Sequence, residues 1–151
     1  MAHEGMVHAL EQTWRLLKPD GVLVNILPAP GGTFFEVHHD AIALFSECNR
    51  ETLSEDVLQA EAAIRQVLVR GLFYIDQEDE FEFHIYGSSV SEVRAYWEEQ
   101  NAFDEEPKSE ERLAREDLLF EQINKIMDEL GVGAEVALRE RVRIARLYPV
   151  R

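Results

Sequence analysis

Apolar and polar positions change period several times along the chain, and each period marks an element. Val7, Leu10, Trp14 and Leu17 recur at helical spacing, with Glu4, Glu11 and Arg15 off that stripe, so the first segment reads as a helix. Pro19 cannot continue it, and Asp20-Gly21 supplies a turn. Val22–Leu27 is short, rich in β-branched residues and almost wholly apolar, which predicts a strand buried on both faces. Pro28–Gly32 reads as a loop. Thr33–His38 and Ala41–Glu47 then predict a β-hairpin hinged near His39-Asp40.

The helical period returns at Leu53, Val57, Ala60, Ile64, Val67 and Leu68. Thr52 and Glu55 before it have the spacing of a capping box, and Gly71 fits the helix end. Leu72–Asp76 and Phe81–Tyr86 predict two strands around an acidic turn at Gln77–Glu80. In the second, Phe81, Phe83 and Ile85 alternate with Glu82, His84 and Tyr86. A second capping box, Ser89 with Glu92, opens a helix to about Gln100. Residues 101–108 read as a polar linker. A long helix is expected from Ser109 to Leu130, ended by Gly131 and Gly133. Ala134–Leu147 predicts a long last strand, with Val136, Leu138, Val142 and Ile144 on one face and Arg139, Arg141 and Arg143 on the other.

Length and composition bound what this pattern can be. At 151 residues and 46% hydrophobic content the chain fits one domain with a packed core. It divides into a helix–turn–strand unit (residues 3–32), a hairpin (33–51) and a run of helices and antiparallel strands (52–151). No apolar run approaches the roughly 20 residues of a membrane helix, and no secretory signal is evident, so a cytoplasmic protein is expected. A formal net charge of −15 argues against nucleic acid and anionic membranes as partners.

Few residues offer chemistry. The arginine row 139, 141 and 143 reads either as an anion site or as cross-strand partners for Glu80 and Glu82. His38 and His39 are adjacent and point to opposite faces of a strand; His3 and His8 are poorly spaced for one helix face. No metal site is expected from them. His84 shares a strand face with Glu82 and Tyr86, and that trio either lines a cleft for acid–base work or is a half-exposed sheet face. Cys48, the single cysteine, lacks an identifiable base. Ser88 and Ser89 read as caps. Neither Gly31-Gly32 nor Gly131–Gly133 lies between a strand and a helix in the order a phosphate loop requires.

One stretch carries a family pattern. Within residues 3–28, MVHALEQTWRLLKPDGVLVNILP resembles the helix, turn and strand late in class I S-adenosylmethionine-dependent methyltransferases. The matching residues are Ala9, Leu10, Arg15, Leu17, Lys18, Pro19 and Gly21; Asp20 stands where the family usually has a first glycine. The resemblance implies an α/β ancestry, α+β in its truncated form. It implies a partial methyltransferase-like sheet in which Val22–Leu27 is the fifth of seven strands and the last strand inserts antiparallel beside it. The family's glycine-rich loop and its ribose-binding acidic residue match no residue here. S-adenosylmethionine is therefore expected as cofactor only of a complete form, with no cofactor-binding residue in this chain. His84 and Tyr86 are the acceptor-side candidates, and the methyl acceptor is unidentified. The Val22–Leu27 edge, left open, is expected to pair with a second copy, with the chain's own hairpin or with a separate partner.

Two further readings stand beside this one. One is a non-catalytic acidic α+β protein that homodimerises or binds a protein partner. The other is a small hydrolase, which requires His38 or His39 and His84 to converge on one pocket.

Overall fold

The computed structural model describes residues 3–50, 52–102 and 107–151. Among them the order is α1 (His3–Leu16), β1 (Leu23–His39), β2 (Ile42–Arg50), α2 (Glu55–Val69), β3 (Phe73–Gly87), α3 (Val90–Asn101), α4 (Glu110–Leu130) and β4 (Ala134–Pro149). The fold is α+β, with a four-stranded antiparallel sheet of order β2-β1-β4-β3. The last strand thus lies between the first and the third. Of the expected linker at 101–108, residues 103–106 lie outside the described residues. No helix among the described residues is long and apolar enough to cross a membrane.

The chain divides into two compact units: residues 1–31, 52–82 and 141–151, and residues 32–51 and 83–140. β1, β3 and β4 each contribute segments to both. In the first unit α1 and α2 pack on one side of the strands. Val7, Ala63, Val67, Phe73, Ala145 and Leu147 are buried there, with Leu10, Trp14 and Leu23 partly buried against them. Trp14 Nε1 donates to the Val150 carbonyl at 2.9 Å, tying α1 to the chain's end. In the second unit Phe35, Val37, Val136 and Leu138 form a core with Val93 and Trp97 of α3 and Phe120 and Ile123 of α4. The rings of Trp97 and Phe120 meet Phe35 edge-on, at centroid distances of 5.6 and 5.0 Å.

Several expectations need correction. Val22–Leu27 is not buried on both faces: Leu23 packs under the helices, while Val24 and Ile26 are 54% and 57% exposed. Alternation explains this, because helices cover only one side of the strand in this unit. Pro28–Gly32 is no loop but the middle of a 17-residue strand. Gly31 and Gly32 (φ +133° and +86°) absorb the irregularity there. Pro28 and Pro30 lack N–H donors, and β2 pairs with β1 only over Thr33–His39, so the prolines lie where that edge of β1 has no neighbour among the described residues. The hairpin forms, with Asp40 and Ala41 at positive φ in its two-residue turn.

The acidic turn at Gln77–Glu80 is also absent, since β3 runs unbroken from Phe73 to Gly87. Glu80 and its flanking acidic residues are cross-strand partners: Arg143 Nη2 lies 3.0 Å from Glu80, Arg146 bonds Asp76, and Arg141 Nη2 lies 3.4 Å from Glu82. The charge-pair reading of the arginine row therefore holds at Arg141 and Arg143. At α2 the helix begins at Glu55, so Ser54 rather than Thr52 occupies the N-cap, with no side-chain cap bond. Glu55 and Asp56 place negative charge in that first turn instead. Ser89 and Ser109 do cap α3 and α4, accepting from the backbone N–H of Glu92 and Arg112.

Candidate functional site: a carboxylate between two histidines

The second unit holds a polar cluster on the sheet face opposite its core. Strand alternation builds it. Phe35 and Val37 point into the core, so Glu36 and His38 share the other face of β1. Hairpin register sets Ser46 opposite Glu36. Ile85 packs on the core from β3, which sends His84 and Tyr86 to the same side as Glu36. Arg139 arrives on β4 by alternation with the buried Leu138.

Glu36 is the centre. Its Oε1 accepts from Arg139 Nε at 2.7 Å and from Ser46 Oγ at 3.0 Å. Its Oε2 lies 2.7 Å from His38 Nε2 and 3.5 Å from His84 Nε2. Ring contacts close the group: His38 meets His84 and Tyr86 edge-on at 5.5 and 5.4 Å, and His84 stacks on Tyr86 at 5.7 Å. The Arg139 guanidinium also lies over Phe34, 4.1 Å from the ring centroid.

Glu36 and His38 are only 4% and 6% exposed, while His84 is half-buried and Tyr86 exposed. Burial pushes the Glu36 carboxyl up, but the bonds from Arg139, His38 and Ser46 and the Arg139 charge outweigh it, so the group is held below the usual carboxylate range. An ionised carboxylate thus stands at the centre of two imidazoles. It can accept from whichever ring nitrogen carries a proton and so orient both rings. His38 Nδ1 is buried and has no hydrogen-bond partner among the described residues.

The expected trio of Glu82, His84 and Tyr86 lies along one strand, β3. His84 and Tyr86 do form one surface, but Glu82 is the partner of Arg141 and the carboxylate beside His84 is Glu36. The rings of His38 and His84 do meet, but among the described residues no pocket is seen at them to serve the hydrolase reading. His39 points elsewhere: its Nε2 lies 3.3 Å from the Val132 carbonyl. Glu36 is not among the residues that sequence reasoning singles out, although its i, i+2 spacing from His38 on a strand is the available signal. Cys48 is a free, partly buried thiol.

A second buried carboxylate has a different character. Glu116 on α4 accepts from Asn49, Trp97 and Lys108, with Lys108 Nζ at 2.7 Å. Every partner belongs to the packed second unit, and this is a structural polar knot rather than an open site. No family model, curated protein or solved structure matches this chain.

Proposed function

We propose that the chain forms the acceptor-side half of a class I methyltransferase-like fold and acts by joining its open β1 edge to a further sheet-forming element. The observation that carries this reading is the strand order β1-β4-β3. The last strand lies beside the strand that follows the Lys18-Pro19-Asp20-Gly21 turn, the arrangement that the family resemblance implies. The edge itself adds support. Beyond the reach of β2, the Leu23–Leu27 stretch of β1 has an unpaired side among the described residues. Alternation puts Val24, Ile26, Tyr74 and Tyr148 on the face away from α1 and α2. Val24, Ile26 and Tyr74 are each more than half exposed. Apolar strands left open on an edge and a face mark an interaction surface. Pro28 and Pro30 blunt the rest of that edge and confine pairing to its first residues.

In this reading the chain alone does not bind S-adenosylmethionine, and His84 with Tyr86 offers a stacked surface against which an acceptor is oriented. The test has two arms. Calorimetric titration with S-adenosylmethionine and S-adenosylhomocysteine is expected to show no binding by the folded chain; saturable binding overturns the view that cofactor residues are missing. Sedimentation of the wild type and of Ile26→Lys reads the edge. A wild-type assembly that Ile26→Lys dissociates supports pairing through this surface, and a monomer soluble at high concentration refutes the need for a cover.

The same open edge favours a second reading, a non-catalytic acidic protein that homodimerises or holds a protein partner through β1. A stable wild-type homodimer would favour it, whereas a chain that assembles only with a separate cofactor-binding partner and gains S-adenosylmethionine affinity there would favour the first reading.

A further inference from the structure

We propose that Glu36, His38 and His84 form a binding site for a zinc-class divalent metal ion. One donor atom from each of the three lies within 4.8 Å of the other two. Two imidazoles and one carboxylate are the donor set that borderline transition metals prefer, and three protein ligands leave a position for water or substrate. Spacing along the chain predicts no metal site, because it sets His38 against His39; the fold instead brings His38 of β1 to His84 of β3.

Two further observations point to a ligand rather than to a plain hydrogen-bond cluster. First, Oε1 of Glu36 is held by Arg139 and Ser46, which fixes the carboxylate plane and leaves Oε2 directed at Nε2 of His38 and Nε2 of His84, the nitrogens an ion shared with Glu36 would take. Supporting bonds of this kind orient metal ligands. Second, the cluster has an exposed side: His84 is half-buried and Tyr86 exposed, which gives an ion an entry path. The Arg139 charge opposes a dication and weakens its binding. All the residues named belong to the second unit, and the inference is independent of the methyltransferase-like reading.

The experiment is titration of the full metal-free chain with cobalt(II), read by its visible absorption, followed by displacement with zinc(II). One equivalent is expected to bind, with bands typical of nitrogen and oxygen ligands. His84→Ala changes a half-buried residue and leaves the Glu36–Arg139 pair intact; it is expected to weaken binding at least tenfold. His8→Ala, on α1, is expected to change nothing. Circular dichroism checks that each variant is folded. A folded wild type that binds neither ion overturns the proposal. So does cobalt binding that His84→Ala leaves unchanged, because the ion then lies at other histidines.

Discussion

Replacing Glu116 with Gln tests how the second unit is held together. Glu116 is 4% exposed. Its Oε1 accepts from Asn49 Nδ2 at 3.2 Å and Trp97 Nε1 at 3.3 Å, and its Oε2 from Lys108 Nζ at 2.7 Å. Gln keeps one acceptor oxygen for Asn49 and Trp97, but it places an amide nitrogen against an ammonium and removes the charge that lies 3.4 Å from Arg112 Nε. Lys108 is itself 14% exposed and sits over the Trp97 ring, so it regains little hydration where it stands. Losing one charge-assisted bond of this kind costs about 1.5–3 kcal/mol. Glu116→Ala also strands the amide and the indole N–H and should cost about 3–5 kcal/mol. Urea unfolding at neutral pH measures both. With a slope of about 2 kcal/mol per molar, the Gln variant should lower the midpoint by about 1 M.

The pH dependence supplies an internal control. Burial pushes the Glu116 carboxyl up, but the bonds from Lys108, Asn49 and Trp97 and the Lys108 charge hold it below the usual range. Between the folded and unfolded pKa values the unfolded chain binds more protons, so stability rises with pH across that window. The contribution of Glu116 is complete above the ordinary glutamate range and is lost as pH falls through the folded value. The gap between wild type and Gln variant should therefore narrow in acid. A Gln variant within about 0.5 kcal/mol of wild type at neutral pH, a small fraction of what a buried charged bond contributes, would refute the reasoning.

Two other outcomes probe the frame. Gly32→Ala should destabilise by about 1–3 kcal/mol, because the position has φ +86° and the new Cβ would lie 2.8 Å from the Arg50 carbonyl oxygen. Gly71→Ala, at φ +70° with nothing within 4 Å, is the comparison. Equal losses at the two sites in thermal unfolding would show that the close approach does not matter. Phe35→Ala removes a fully buried ring that Trp97 and Phe120 both contact, and should cost about 3–5 kcal/mol. A loss under about 1 kcal/mol in the same assay would place the core of this unit elsewhere.

Local rules made the helices, the hairpin and the last strand readable from the sequence alone. The stripe of Val7, Leu10 and Trp14, the cap at Ser89 and the glycines at 71 and 131 act within a few residues, so their order along the chain is enough. Charge pairing was legible for the same reason: an acidic strand face and a basic one call for each other. Tertiary contacts decided the rest. The acidic run at Gln77–Glu80 has turn chemistry by composition and is strand in the fold, with Arg143 of β4 beside its Glu80. The Pro28–Gly32 stretch looks like a loop until two glycines at positive φ let the strand pass through it. Val24 and Ile26 look like core residues until one sheet face is left without a helix. The candidate site depends on tertiary structure most of all. Glu36 and His84 are far apart in sequence, and only the pairing of strands brings a buried carboxylate between two histidines. Periodicity tells which face of its own strand a side chain takes; which strand lies next to it is fixed by the packing of the whole sheet.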